Sequence, residues 1–495
     1  MLGKQPPTQF GFDNLPPDAP TTRWSELLRA IDRLIDFSPV REMAAPYFAD
    51  NGRPSVDPIL MFKIMLVGFL LGIPSDRRLI DDCKDRASIR EFLGLGWSDD
   101  LPVHSSLTHW RQRLGPNFFR LMLHEIAQQC ADHGMVLSGT RVVDATTVKA
   151  RASRRGPTAS VPRDEIDGFV DECFDQDRDH DRHADEDNGE IIGEVEPDHT
   201  DDDDGDDATG SSARSSVGDD KTILVNMHDP DARLQRKTHE TAEFRYNVSF
   251  CTDMATGLIT DATATGFERA WTTVEHVLHD PGSVDEIVFD ALYDAGHTLQ
   301  ALQHLGVRCY VPPPRPRSDN KFDKSLFTYV PLHDIYLCPH GKVLKYCRND
   351  SSREQIHYIA LQSECGACPD KQRCTEAKRR SVSRQYTQDA RDRAVRAGHR
   401  YQVFMRQRRI DEHLNMLAKR DHAMSLARGL GLEAMQIQAA GTAMAIDLKR
   451  LVKFKGRVDD PTTAEQHRVA ASAGLLALFC AVGARGTHRR RFRGR

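Results

Sequence analysis

The sequence predicts an α+β protein: an all-helical N-terminal domain, then an α/β core in which a mixed sheet carries helices on its faces. Three observations predict it. Residues 22–130 repeat apolar side chains at three-to-four spacing. Short runs rich in β-branched and aromatic residues begin at about 136 and return at Phe244–Cys251 and Leu258–Asp261, with Met254–Gly257 between the last two as a hairpin turn. A helix near 269–279 and a helical pattern at His297–Leu305 alternate with strands, the second of them Val307–Val311, as in a sheet covered by helices.

In the helical domain (20–130), Trp24, Leu27, Leu28, Ile31, Leu34 and Ile35 form one apolar stripe, so a one-sided helix covers a core there. Ile59–Ile73 is the most apolar stretch, with Lys63 inside it. It falls short of the roughly 20 residues a membrane span needs, so it reads as a core helix and no membrane partner is expected. Pro58 suits its first position, where a missing N–H costs nothing. Ser105 or Ser106 can cap a short helix that Gly115 ends. On that helix Leu107, Trp110 and Leu114 face inward, while Thr108, His109, Arg111 and Gln112 face out. With a helix at about 87–94 before it and a short turn between, the pattern is a helix-turn-helix with 106–114 in the reading position. An ordinary surface helix with a polar face is the competing reading.

The length of 495 residues exceeds one compact core, so several domains are expected. The net charge of −6 conceals an uneven distribution: residues 161–220 carry 24 Asp/Glu against 4 Lys/Arg, a local −20, and subtracting it leaves +14 for the rest. Without one segment the protein is basic, as a binder of polyanions should be. The stretch 156–220, with its Asp201–Asp207 run, has little to bury and is expected to be disordered. It is either a tolerated loop insertion or an internal mimic of DNA. Six of the 11 cysteines (Cys83, Cys130, Cys173, Cys251, Cys309 and Cys480) have no framework spacing, which fits a reducing cytoplasm rather than a disulfide scaffold. No signal peptide is expected from Met1–Pro7, which lacks a charged and then apolar leader. A basic tail, 456–495, ends the chain with Arg489–Arg493.

Three acidic residues carry the chemistry. Asp144 ends the apolar run Thr140–Asp144, and Asp290 ends Glu286–Asp290. Glu412 lies in a Pro-free stretch with Arg408 before it and Lys419 after it. At about 100° per residue these three fall within roughly 40° of one another on one helical face. That face can be read as a plain row of surface ion pairs, worth tenths of a kcal/mol. Two strand-end aspartates joined to a helical glutamate are instead how an RNase H-like fold collects carboxylates around a pair of divalent metals. Such a centre cuts and rejoins phosphodiesters by in-line displacement. Arg408 and Lys419 then grip the phosphates beside the scissile bond. Asp294, past the strand, is a weaker candidate that suits a turn or a cap.

A second cluster comprises Cys338, Cys365, Cys368 and Cys374. The Cys365-x2-Cys368 spacing gives the tight turn that two thiolates need on one tetrahedral Zn²⁺, and Cys374 and Cys338 complete four ligands. His340 and Cys347 are spare candidates, and loose reduced thiols are the alternative. The segment 316–380 shows few apolar residues of its own, so a metal staple is expected to fold it.

Together these pieces resemble the DDE transposases of bacterial insertion sequences, in the branch with a helical N-terminal domain ahead of an RNase H-like core. The resemblance runs from about residue 20 to 455, apart from the acidic insert. It rests on Ser55–Lys63, Ser105–Arg113, Val142–Ala150, Asp290–Gly296, Cys365–Cys374, Arg428–Gln438 and Asp447–Leu451. It implies Asp144, Asp290 and Glu412 as ligands of Mg²⁺ or Mn²⁺, with Arg408 and Lys419 as the glutamate's basic partners. It also implies recognition of terminal inverted repeats and target DNA by a homo-oligomer on paired ends, in the cytoplasm at the nucleoid. The implied core occupies 136–155 and 221–315, and 381–455 is its helical part carrying Glu412. Two departures stand out. The family usually has Phe-Gly where this chain has Asn415-Met416, which is expected to loosen packing under Glu412, and Asn where this chain has Asp447. A hydrolytic nuclease with the same centre, or a DNA-binding relic that no longer cuts, are the alternatives.

Overall fold

The computed structural model describes residues 3, 22–49, 55–153, 156–162, 222–236, 241–266, 284–289, 296–312, 322–396 and 409–458. Of the stretch 156–220, only 156–162 is described, and it holds a strand, Thr158–Pro162, where disorder is expected; the expected helix near 269–279, Asp290, Asp294, Arg408 and residues 459–495 of the basic tail lie outside the described residues.

Six helices come first: α1 (Arg23–Leu34), α2 (Ser38–Ala44), α3 (Pro58–Leu70), α4 (Asp76–Asp85), α5 (Ala87–Leu93) and α6 (His104–Asp132). Side-chain caps set several of their starts. Thr22 and Ser25 cap α1 reciprocally, Asp57 accepts from the Ile59 N–H ahead of α3, and Ser75 accepts from Arg78 in α4. The α3 helix is apolar nearly all round and buried nearly all round, as the sequence predicts. Its one charge, the Lys63 ammonium, sits 4.8 Å from the ring centres of both Phe37 and Phe92 and pairs with Asp32. At Gly115 (φ 66°) α6 breaks, and Pro116 restarts it at once, so the short helix ends where expected and a second one continues without a loop.

The central sheet orders its long strands as β6 (Ile259–Thr265), β5 (Glu243–Asp253), β1 (Thr140–Lys149), β7 (Glu286–Phe289) and β8 (Arg308–Tyr310). The strand β5 runs antiparallel to β1 and β6, whereas β1, β7 and β8 are parallel. A short β2–β3 ribbon (Thr158–Pro162 with Thr222–Asn226) flanks it, and β4 (Arg233–Gln235) pairs the start of β5. The hairpin joining β5 to β6 is organised by Asp253. Its Oδ1 accepts from the N–H groups of Ala255 and Thr256, and its Oδ2 accepts from Ser138 and from the fully buried Arg141 at 2.8 Å. The helix between β7 and β8 spans Gly296–His304, close to its predicted place.

A long C-terminal helix, Gly431–Val458, packs on α6, α3, α1 and β6. Asp229 and Asp231, ahead of β4, cap it by accepting from Gly431 and Leu432. Burial pushes the Asp229 carboxyl up to about 6. One continuous core therefore runs from Leu28 to Leu451. Arg120 of α6 ties the helices to the sheet by donating twice to the buried Asp261 of β6, at 2.9 and 2.7 Å. The step from helices to strands near residue 136 is thus a change of secondary structure inside one core. The whole is the α+β arrangement the sequence predicts. Among the described residues no helix is long and apolar enough to cross a membrane.

The cysteine segment corrects an expectation. It is a five-stranded antiparallel sheet, β9 (Thr328–Val330), β10 (Ile335–Leu337), β11 (Val343–Asp350), β12 (Gln355–Ala360) and β13 (Ser381–Gln385), inserted after β8. Phe327, Tyr336, Leu344, Tyr358, Ala360 and Val382 give it a small core of its own, where the sequence reads as having few apolar residues to pack. Three of its tyrosines, at 329, 336 and 358, meet edge or tilt to face, and the Arg384 guanidinium sits 3.8 Å from the Tyr329 ring centre.

Candidate active site

Asp144 sits midway along β1, the middle strand of the central sheet. It is half-buried and lies opposite Phe250 of the antiparallel β5. On the other side β7 runs parallel, and its last residue, Phe289, pairs with Val143. The residue after Val143 is Asp144; the residue after Phe289 is Asp290. Thr140–Val143 and Glu286–Phe289 are paired residue for residue, while β1 continues past Asp144 to Lys149, so Asp144 is not the strand end that the sequence predicts.

Glu412 belongs to the helix Arg409–Asp421, where its place is given by the backbone. One turn further along, Asn415 donates from Nδ2 to Asp144 Oδ2 at 2.9 Å, across 271 residues of sequence. The Asn415 Oδ1 is buried and makes no hydrogen bond among the described residues. This overturns the expectation that Asn415-Met416 loosens the helix. Leu414 and Ala418 are buried beneath it, Met416 faces solvent, and Asn415 itself fastens the helix to the strand.

The segment after the helix holds it in place. Ser425–Ala427 runs beside the end of β1, with Lys149 N–H donating to Ser425 at 3.1 Å and Ala427 N–H donating to Lys149 at 2.8 Å. His422, buried, bonds through Nδ1 to the Phe69 carbonyl at 2.8 Å. Burial pushes its imidazole down to about 4, so it stays neutral. Arg428 stacks 4.3 Å from the Phe69 ring centre and donates to the Gly68 carbonyl. The Arg428–Gln438 motif is therefore a clamp between the glutamate helix and α3. Lys419, on the helix beyond Asn415, is half-buried.

The reading helix departs from expectation in three ways. It starts at His104 after Val103, without a serine cap. Its connection from α5 runs from Gly94 to Val103, longer than the three or four residues typical of a helix-turn-helix. Leu107, Trp110 and Leu114 are buried and Thr108, His109 and Gln112 are exposed, as predicted. Arg111 is not free to face out, because both its terminal nitrogens bind Asp76 of α4.

Cys338, Cys365, Cys368 and Cys374 gather at one end of the β-insertion, all half-buried. Cys338 Sγ accepts from the Lys342 N–H at 3.3 Å. The Cys374 thiol is pushed up, first by burial and also by the charges of Cys365, Cys368 and Cys338, against the opposing pull of Arg380. These thiols are soft donors within electrostatic reach of one another, although no group of three or more His, Cys, Asp or Glu among the described residues is drawn together tightly enough to hold a metal. His340 is engaged by Asp370 at 2.8 Å, and Cys347 is exposed on β11.

A family model described as a transposase domain (DUF772) matches residues 16–113, and one described as a transposase DDE domain matches residues 337–452. Both matches are to transposase domains, and together they support a DDE transposase of insertion sequences. The first match covers the helices up to the exposed face of α6; the second takes in most of the β-insertion, the glutamate helix and most of the C-terminal helix. No curated protein matches the chain. A transposase family implies DNA as the substrate class, and DDE transposases generally work with divalent metals such as Mg²⁺. The Asp144 carboxylate and the orphaned Asn415 Oδ1 are hard oxygen donors of the kind Mg²⁺ takes.

Proposed function

We propose that this transposase cuts DNA at the terminal inverted repeats of its element and joins the freed 3′ ends to target DNA. One observation carries the reading. The strands leading into Asp144 and Asp290 are parallel and in register, and the helix bearing Glu412 is bonded to Asp144 one turn beyond the glutamate. The strand order, with β6, β5, β1, β7 and β8 side by side and only β5 antiparallel to β1, supports an RNase H-like core.

In this reading Asp144, Asp290 and Glu412 hold a pair of Mg²⁺ or Mn²⁺ ions, which stabilise the attacking and leaving oxygens of an in-line displacement when bound. Arg408 and Lys419 grip the phosphates on either side. The clamp from Lys149 to Arg428 keeps the glutamate helix from drifting off β1. Thr108, His109 and Gln112 offer a polar face to DNA, and Arg111 buttresses that face through Asp76. Paired ends call for a homo-oligomer.

The test is Mg²⁺-dependent cleavage and joining on labelled DNA carrying the ends that flank this gene. Glu412→Gln and Asp290→Asn are each expected to lose both steps and to keep end binding. Cleavage without joining by the wild type points to a nuclease; tight end binding with neither step points to a relic.

The four cysteines are proposed to hold one structural Zn²⁺. Chain purified from zinc-replete cells is expected to carry about one zinc per chain by elemental analysis, falling severalfold in Cys365→Ser. Because the β-insertion has its own core, that variant is expected to retain its strand signal by circular dichroism. Equal zinc content in both proteins would leave the cysteines as reduced thiols.

A further inference from the structure

The proposed centre has an oxygen donor that the three carboxylates do not include. Asn415 meets Asp144 through Nδ2 at 2.9 Å, and its other polar atom, Oδ1, is buried with no hydrogen bond among the described residues. A buried amide oxygen left unpaired costs free energy, so such atoms in folded proteins ordinarily have a partner, ordered water or ions included. Here the orphan belongs to a side chain already in contact with a candidate metal ligand.

We infer that Asn415 is a further ligand of the ion held by Asp144, supplying Oδ1 as a neutral oxygen donor. Adjacent ligands of an octahedral Mg²⁺, each about 2.1 Å from the ion, lie about 3 Å apart. The amide already holds a polar atom at that separation from the carboxylate. A half-turn about its Cβ–Cγ bond brings Oδ1 to that place and moves the N–H₂ group to the buried position, where it finds no acceptor among the described residues, so ligation has to outweigh that exchange. Without metal, the N–H faces the carboxylate and offsets part of its charge. With metal, the oxygen takes that place. Asn415 therefore keeps Asp144 aimed in the metal-free centre and joins it in the loaded one.

This inference rests on the proposed two-metal reading, and one binding experiment separates the two. Mn²⁺ affinity is measured on the full chain by electron paramagnetic resonance of the free ion. Asp144→Asn serves to identify the sites at this centre, because the acidic segment 161–220 takes up cations weakly on its own. For the component that Asp144→Asn removes, Asn415→Ala is expected to raise the dissociation constant by about tenfold or more. Asn415→Asp, which keeps an oxygen at both ends of the side chain and is nearly the same size, is expected to bind at least as tightly as wild type. Weakening by Asn415→Asp to the level of Asn415→Ala would reduce Asn415 to a hydrogen-bond donor and overturn ligation. Wild-type affinity in Asn415→Ala would overturn any role at the metal. If Asp144→Asn removes no Mn²⁺ component at all, the two-metal reading itself has failed.

Discussion

Asp144→Asn is expected to slow strand cleavage by more than about 10³-fold while leaving end binding and thermal stability close to wild type. The substitution keeps the size of the side chain and an oxygen that can accept from Asn415 Nδ2, so the bond between β1 and the glutamate helix survives. It removes one negative charge from the site proposed to hold the ions. A metal clamp on an in-line displacement supplies several kcal/mol of stabilisation in the transition state, and about 1.4 kcal/mol corresponds to a factor of ten in rate. The same loss of charge beside a phosphate backbone favours DNA binding slightly, so a gel shift should show affinity equal to or a little above wild type. Cutting by Asp144→Asn at the wild-type rate would remove Asp144 from the chemistry. Loss of both cutting and binding would make it a folding residue.

The parts of this site that are legible in the sequence are those written locally. The run Thr140–Asp144 and the run Glu286–Phe289 are short, apolar and β-branched, and both form adjacent strands of the central sheet. The spacing of Leu107, Trp110 and Leu114 marks the buried face of α6 correctly. Contacts between distant segments are not legible in this way. Nothing near Asn415 in the chain points to Asp144, and the residue reads only as a departure from the family because its partner lies on a strand 271 residues away. Arg111 reads as a DNA contact because Asp76, which binds it, stands on another helix. The β-insertion reads as too poor in apolar residues to fold alone because two of its six buried core residues, and a third packed against them, are tyrosines. Their bodies pack while their hydroxyls find partners: Tyr329 donates to Asp334 at 2.8 Å and Tyr358 donates to the same carboxylate. Arg428–Gln438 reads as a family motif with no stated task; in the fold its arginine and glutamine lock the glutamate helix against α3 and the strand end.

Asp447→Asn is expected to stabilise the protein by an amount that grows with pH. Asp447 is completely buried in the C-terminal helix, and its Oδ1 accepts from the Ile259 N–H at the start of β6, at 3.0 Å. Burial pushes its carboxyl up to about 8, against smaller opposing effects of that hydrogen bond and of Arg450. The folded protein therefore keeps a proton on Asp447 that the unfolded chain, with an ordinary carboxyl near 4, releases. A group whose pKa is raised by folding contributes stability that is complete below its unfolded pKa and declines as pH rises toward its folded pKa, so the decline falls between about pH 4 and pH 8. Its steepest slope is about 1.4 kcal/mol per pH unit, an upper bound. An asparagine offers the same acceptor to Ile259 and has no proton to lose. Its extra N–H finds no acceptor among the described residues where Asp447 Oδ2 now lies unpaired, which offsets part of the gain. The net expectation is near equality at pH 4.5 and an advantage of at most about 4 kcal/mol for Asp447→Asn at pH 7.5, three pH units at the limiting slope. Urea unfolding of both proteins at the two pH values reads it directly. Curves displaced equally at both would mean that Asp447 does not hold its proton in the folded state.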